Sequence, residues 1–242
     1  MVPATEIGAE DRSSCRYGAS RTLFRGPARD LSGPYLAMLG GSATFGKGLA
    51  RPFAELVEEA LRLPVANLGV VNGGPDVWLS DPAALAVAQG ARLAVVQVTG
   101  AEGLGNPLYS VHSRRNDRFI AATPALRALY PGVEFTDIHF TRHLLQVLRD
   151  ADPRRFQTVV GILQESWLAR MRALLGRLPR PLLLWLVAEE PLFITAPMIE
   201  ALRPLAPAIP CHAAGAGCPH PGIAARLVPA IRAGLETATG AA

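Results

Sequence analysis

Tyr35-Leu-Ala-Met-Leu-Gly-Gly-Ser-Ala-Thr-Phe-Gly46 decides the fold. Its first five residues are a short apolar run, and Gly40-Gly41 close it. Such a run, ended by turn residues and followed by a helix, marks a strand that feeds a helix. The helix is expected over Pro52–Leu61. Pro52 suits a first turn, and Phe53, Leu56, Val57, Ala60 and Leu61 share one face. Pro64–Leu68 reads as a second strand, ahead of the glycine-rich Gly69-Val-Val-Asn-Gly-Gly-Pro75.

The pattern repeats downstream. Asp81 is placed to cap a helix with Pro82 in its first turn, running to about Gln89. Leu93-Ala-Val-Val-Gln-Val98 has the continuous apolar character of a strand covered on both faces. Helices are expected at His139–Arg149 and Pro153–Leu178, a fourth strand at Leu182–Val187 and a helix near Ala196–Arg203. A short fifth strand around Ala208–Cys211 and a helix from Pro221 to Leu235 close the chain. Alternation of this kind implies one parallel sheet with helices on both faces, an α/β domain. The stretch from about 100 to 155 is too long for an ordinary connection and reads as an insertion over the carboxyl edge of the sheet. Residues 1–33, punctuated by glycine and proline, read as an arm, with the domain spanning 34–242.

Composition agrees with a single large domain. The chain has 242 residues, 50% hydrophobic and 18% charged, enough to bury a core. No apolar run approaches the roughly 20 residues of a membrane span, and the polar first twelve residues carry no readable secretory signal. The net charge is +4, with Lys47 as the lone lysine among 24 cations, and aromatics are 6%. Cations without aromatic stacking partners argue against a nucleic-acid surface. Cys15, Cys211 and Cys218 form no disulfide framework, which fits a reducing compartment, and the cytoplasm is the expected location.

Ligands of open parallel sheets bind beyond the carboxyl ends of the strands. Those ends offer Ser42, the turn Asn72-Gly73-Gly74, the turn Thr99–Asn106 and, ahead of the last helix, His220. A serine nucleophile needs a base and two or three N–H donors for the oxyanion. Ser42 supplies its own N–H, while Gly73 or Gly74 lets a second N–H approach closely. Asn106 offers a third donor. The blander readings are a helix N-cap for Ser42, a simple turn at Gly73-Gly74 and a helix-entry residue for His220.

Two metal patterns fail. Cys211-His-x5-Cys-x-His220 is not a pair of zinc hooks, and no glutamate follows His139 to turn His139 and His143 into a zinc helix. No metal or organic cofactor is implied. Arg114 and Arg115, with Arg118 and Arg127, crowd a stretch holding one acid, Asp117. Their readings are a solvated loop or a fork for an anionic substrate group.

The arrangement resembles the SGNH (GDSL-like) hydrolase superfamily, a five-stranded flavodoxin-like parallel sandwich. Its Gly-Asp-Ser turn appears as Gly40-Gly41-Ser42, and its second-motif oxyanion glycine matches Gly73 or Gly74. Its Gly-x-Asn-Asp place holds Gly100-Ala101-Glu102-Gly103, with Asn106 the nearest amide. Its Asp-x-x-His place holds Gly217-Cys218-Pro219-His220, without the acid. Glu189 or Glu190 would have to supply that acid. The chain also resembles a narrower bacterial family of unknown function. Cys15-Arg-Tyr-Gly, Leu23–Pro27, Gly40–Gly46 and Asn67–Gly69 carry that likeness, with Val111–Phe119 and His139–His143. The superfamily likeness implies an ester hydrolase, with an O-acetylated carbohydrate as the substrate class. Ser42 would attack, His220 would serve as base, and Gly73 and Asn106 would hold the oxyanion. Gly74, Glu102, Arg114 and Arg115 would contact the small-molecule ester. An O-acyltransferase on the same residues, or a binding protein that keeps the frame without chemistry, are the alternatives.

Overall fold

The computed structural model describes residues 14–187, 193–212 and 220–236. In chain order its elements are β1 (Ser14–Cys15), β2 (Phe24–Arg25), β3 (Leu36–Gly40), α1 (Ser42–Phe45), α2 (Phe53–Leu61), β4 (Val65–Gly69), α3 (Pro75–Leu79), α4 (Pro82–Gln89) and β5 (Leu93–Gln97). Then come β6 (Tyr109–Val111), β7 (Phe119–Ala122), α5 (Pro124–Leu129), α6 (Thr141–Ala151), α7 (Pro153–Leu175), β8 (Leu182–Leu186), α8 (Ala196–Glu200), β9 (Ala208–Cys211) and α9 (His220–Glu236).

Five strands form one all-parallel sheet in the order β4-β3-β5-β8-β9. Counted along the sheet's own chain order this is 2-1-3-4-5, the doubly wound arrangement whose direction reverses at the first strand. Leu36 of β3 sits between Val65 of β4 and Leu93 of β5, so these three neighbouring strands run in step.

Alternation along each strand divides the core in two. Ala37, Leu39, Leu68, Ala94 and Val96 join Trp78 and Trp167, the side of α3, α4, α6 and α7. Leu36, Met38, Val65, Leu93 and Val95 join Phe53, Val57, Ile223 and Leu227, the side of α2 and α9. Two apolar clusters separated by a sheet are a three-layer α/β/α domain, as the sequence pattern implies.

The expected strands and helices stand within a few residues of their places. Additions are two small hairpins, β1–β2 in the arm and β6–β7 after β5, and the short helices α1, α3 and α5. One correction matters for chemistry. Helix α6 begins at Thr141 with Phe140 as its N-cap, so His139 lies outside it and does not share a helical face with His143.

The arm is fastened to the domain. Ser20 and Thr22 hydroxyls donate to the Asp81 carboxylate, whose other oxygen caps α4 by accepting from Ala84 N–H. Arg25, itself buried, donates to the carbonyls of Gly46, Leu49 and Ala50 and pairs with Glu55. It thereby holds the loop that leaves α1. No described helix is long and apolar enough to cross a membrane.

Candidate functional site

The Ser42 turn is built from both neighbouring strands. Gln97, at the end of β5, places Oε1 to accept from Gly41 N–H (3.1 Å), Thr44 N–H (3.1 Å) and the Thr44 hydroxyl (2.7 Å). Asn67, in β4, donates from Nδ2 to the Thr44 carbonyl (2.8 Å) and accepts from Gly69 N–H (2.9 Å). Both amides are buried. Their bonds replace what a four-residue helix cannot give its own ends. A methyl group at Gly40 would overlap Thr44 Oγ1 and Gln97, and one at Gly69 would overlap the backbone of Phe45. Gly46 ends α1 at φ +75°, a conformation that suits glycine.

Above this turn lies a cavity of about 510 Å³. Gly41, Ser42 and Ala43 line it from β3–α1, Asn72, Gly73 and Gly74 from beyond β4, and Gln97–Gly100 with Glu102 and Gly103 from the end of β5. The stretch after β6 adds Asp117, Phe140, Thr141 and Arg142 to the lining.

Ser42 is half-buried, and its Oγ both donates to Asn72 Oδ1 (3.3 Å) and accepts from Asn72 N–H (3.2 Å). Asn72 adopts φ +56°, a left-handed conformation that asparagine tolerates better than most residues. Its Nδ2 donates to Asp117 Oδ2 (3.2 Å), which fixes the amide with its oxygen toward the serine. The backbone N–H groups of Ser42 and Ala43 have no hydrogen-bond partner among the described residues. They are two donors at the start of α1 beside the hydroxyl.

The remaining expected residues are less concentrated. Gly73 and Gly74 line the cavity, but their N–H groups are occupied. Gly73 donates to the Val70 carbonyl (2.8 Å) and Gly74 to Asn116 Oδ1 (2.7 Å). Asn106 organises its own loop instead of facing the cavity. Its Oδ1 accepts from Leu108 and Tyr109 N–H, and its Nδ2 donates to the Leu104 carbonyl. Glu102 is in the cavity wall. Arg114 lines a separate pocket beside Arg21 and Asp81, and Arg115 is exposed. The guanidinium in the cavity wall belongs to Arg142.

His220 opens α9 and packs its ring against Phe53. Its Nδ1 accepts from Phe53 N–H (2.8 Å), so the neutral ring carries its proton on Nε2. It is absent from the cavity lining and makes no hydrogen bond to Ser42. An Nε2–H imidazole has no free nitrogen with which to take the serine proton. Burial, with a smaller contribution from Arg25, pushes the His220 pKa down. Gly217, Cys218, Glu189 and Glu190, the residues on which the missing acid and the cysteine-histidine cluster turned, lie outside the described residues.

Gln97, Asn72, Asp117 and Arg142 were not singled out by sequence reasoning. Gln97 carried a usable signal: a lone amide at the carboxyl end of an otherwise apolar strand must find partners, and the nearest are on the adjoining turn. Asp117 and Arg142 reach the cavity through tertiary placement of the long connection, which periodicity does not encode.

No curated protein and no solved structure matches the chain. A family model described as a domain of unknown function, DUF6473, matches residues 2–216, and the chain belongs to that family.

Proposed function

We propose that the cavity over the carboxyl edge binds a small ester and that Ser42 is the reacting hydroxyl of an SGNH-like ester hydrolase. The observation that carries this reading is the Ser42 turn itself. It combines a half-buried hydroxyl in a cavity wall, held by Asn72, with the unpartnered N–H groups of Ser42 and Ala43 beside it. Attack by Oγ on an ester carbonyl creates an oxyanion, and fixed backbone donors aimed at such a charge are the largest single contribution in acyl transfer. Removing one oxyanion donor costs about 10²–10³ in turnover in a serine protease. In this reading the Ser42 N–H keeps the role expected of it, and the Ala43 N–H takes the place of Gly73 and Asn106.

An O-acetylated carbohydrate suits the lining. Asn72, Thr99, Glu102 and Asp117 offer hydrogen-bonding groups to hydroxyls, and the exposed Phe140 ring offers an apolar edge. An alcohol in place of water as acceptor would make the same site an O-acyltransferase. A cytoplasmic setting belongs to the same proposal, on the three cysteines without a disulfide framework. The second reading is a binding protein without turnover. It is favoured by the engaged N–H groups of Gly73 and Gly74 and by the Nε2–H tautomer of His220.

Hydrolysis of small aryl acetates by wild type and Ser42→Ala separates the two. The ester-hydrolase reading predicts measurable turnover that falls at least 10³-fold in the variant, with unchanged folding. Turnover retained in the variant contradicts it, and a folded wild type without turnover favours the binding protein.

A further inference from the structure

Glu102 lies on the turn after β5 and shares the cavity wall with Ser42. Its Oε2 atom is buried and has no hydrogen-bond partner among the described residues. A methyl group at Gly100 would overlap that oxygen, so the glycine leaves the space that the carboxyl fills. An ionised carboxylate needs its lone pairs satisfied, and a buried oxygen without a donor favours the protonated acid. Burial pushes the Glu102 carboxyl above the ordinary range, against the pull of its own backbone N–H and of Arg142.

The groups around it come from three places. Arg142 of α6 and Asp117 line the same cavity, and the Tyr109 hydroxyl of β6 donates to the Glu102 carbonyl (2.9 Å). The turn carrying Glu102 touches the turn carrying Ser42. A Cβ at Gly41 would lie 3.5 Å from Thr99 Cγ2 and 3.7 Å from the Gly73 carbonyl oxygen, and one at Gly74 would lie 2.6 Å from the Gly103 carbonyl oxygen.

We infer that Glu102 is the proton shuttle of the Ser42 cavity, an assignment that rests on Ser42 as the reacting hydroxyl. In its ionised form Glu102 takes the Oγ proton, directly or through one water, as Oγ bonds to the ester carbonyl carbon. The proton then passes to the alcohol oxygen as the C–O bond to the alcohol breaks, leaving acyl-Ser42 and an ionised Glu102. Water attacks the acyl carbon and gives its proton to the same carboxylate. That proton returns to Oγ as the acyl–Oγ bond breaks and the carboxylic acid leaves. A carboxyl displaced toward neutrality is a stronger base than an ordinary glutamate, which fits it to take a hydroxyl proton. Nδ1 of His220 is meanwhile engaged with Phe53.

The test is the rate of Ser42 labelling by a fluorophosphonate, followed from pH 4.5 to 8.5 in wild type, Glu102→Gln and Glu102→Asp, each checked for folding by circular dichroism. The expected wild-type rate rises with pH through an inflection above the ordinary glutamate range. Glu102→Gln should lose that inflection and label about 10²-fold more slowly or worse, whereas Glu102→Asp should keep an inflection at a shifted pH. A folded Glu102→Gln that labels at the wild-type rate with the wild-type profile overturns the shuttle. If Glu102→Gln fails to fold, Glu102→Asp decides: an unchanged inflection overturns the proposal and a displaced one supports it. Absence of labelling in wild type overturns the Ser42 reading itself and the shuttle with it, whereas labelling without dependence on residue 102 overturns the shuttle alone.

Discussion

At the scale of single residues, Gln97 and His220 show how far one side chain's partners decide its role. Three donors converge on Gln97 Oε1, all within the turn that presents Ser42. Gln97→Leu keeps the approximate volume and leaves those donors unsatisfied in a buried setting, where each costs about 1–3 kcal/mol. Partial relaxation brings the expected loss to about 3 kcal/mol, measured by urea unfolding. A loss under 1 kcal/mol would show that the turn holds itself. His220 makes a prediction of opposite kind. Its folded-state pKa lies below its ordinary value, so the unfolded chain binds the proton more readily. Stability should therefore be full above about pH 7 and fall as the solution is acidified through the His220 range. Glu102 works in the opposite direction: its carboxyl, with a raised folded-state pKa, costs stability as it ionises with rising pH and returns that stability on acidification. Comparing His220→Gln with wild type between pH 7 and 5 isolates the imidazole: the variant should show a shallower slope, and an identical slope would remove His220 from the account.

At the scale of elements, the parallel strands and main helices were legible because local chemistry and burial agree. Continuous apolar runs become strands covered on both faces, and Asp81-Pro82 begins a helix where a capping residue and a proline should. The small hairpins and the start of α6 were not legible, since each depends on partners distant in sequence. Of the site, Ser42 and the Gly73-Gly74 turn could be read from their position after strands. The engagement of Gly73, Gly74, Asn106 and His220 could not, because a sequence does not say which partner each group meets first. Asp81 ties two elements together, capping α4 while accepting from Ser20 and Thr22 of the arm. Desolvation opposes its ionised form, but these hydrogen bonds outweigh it and carry the carboxyl below its usual range. Asp81→Ala should lower stability by about 1–2 kcal/mol and speed proteolysis near residues 20–22. Unchanged proteolysis would mean that Phe24, Arg25 and the Arg29–Glu58 pair hold the arm without Asp81.

At the scale of the molecule, a doubly wound sheet gathers its strand ends on one edge, and the long connection after β5 brings Asp117, Phe140 and Arg142 over them. On the proposed ester-hydrolase reading, an anionic substituent of the substrate would meet Arg142, which lines this cavity, and not Arg114 and Arg115, which do not. Arg142→Ala should raise KM several-fold more for a carboxylate-bearing aryl ester than for a neutral one, an effect that added salt reduces. The pair Arg114→Ala and Arg115→Ala should not discriminate between the two esters. Equal sensitivity in both variants would spread the effect over the general positive charge of the surface.

The most direct measurement of the central claim is the intact mass of the wild-type protein and of Ser42→Ala after exposure to a fluorophosphonate, with the modified peptide sequenced. Ser42 as the reacting hydroxyl requires a single adduct on wild type, localised to Ser42, and none on the folded variant. An unmodified wild type, or an adduct that persists in Ser42→Ala, would contradict it.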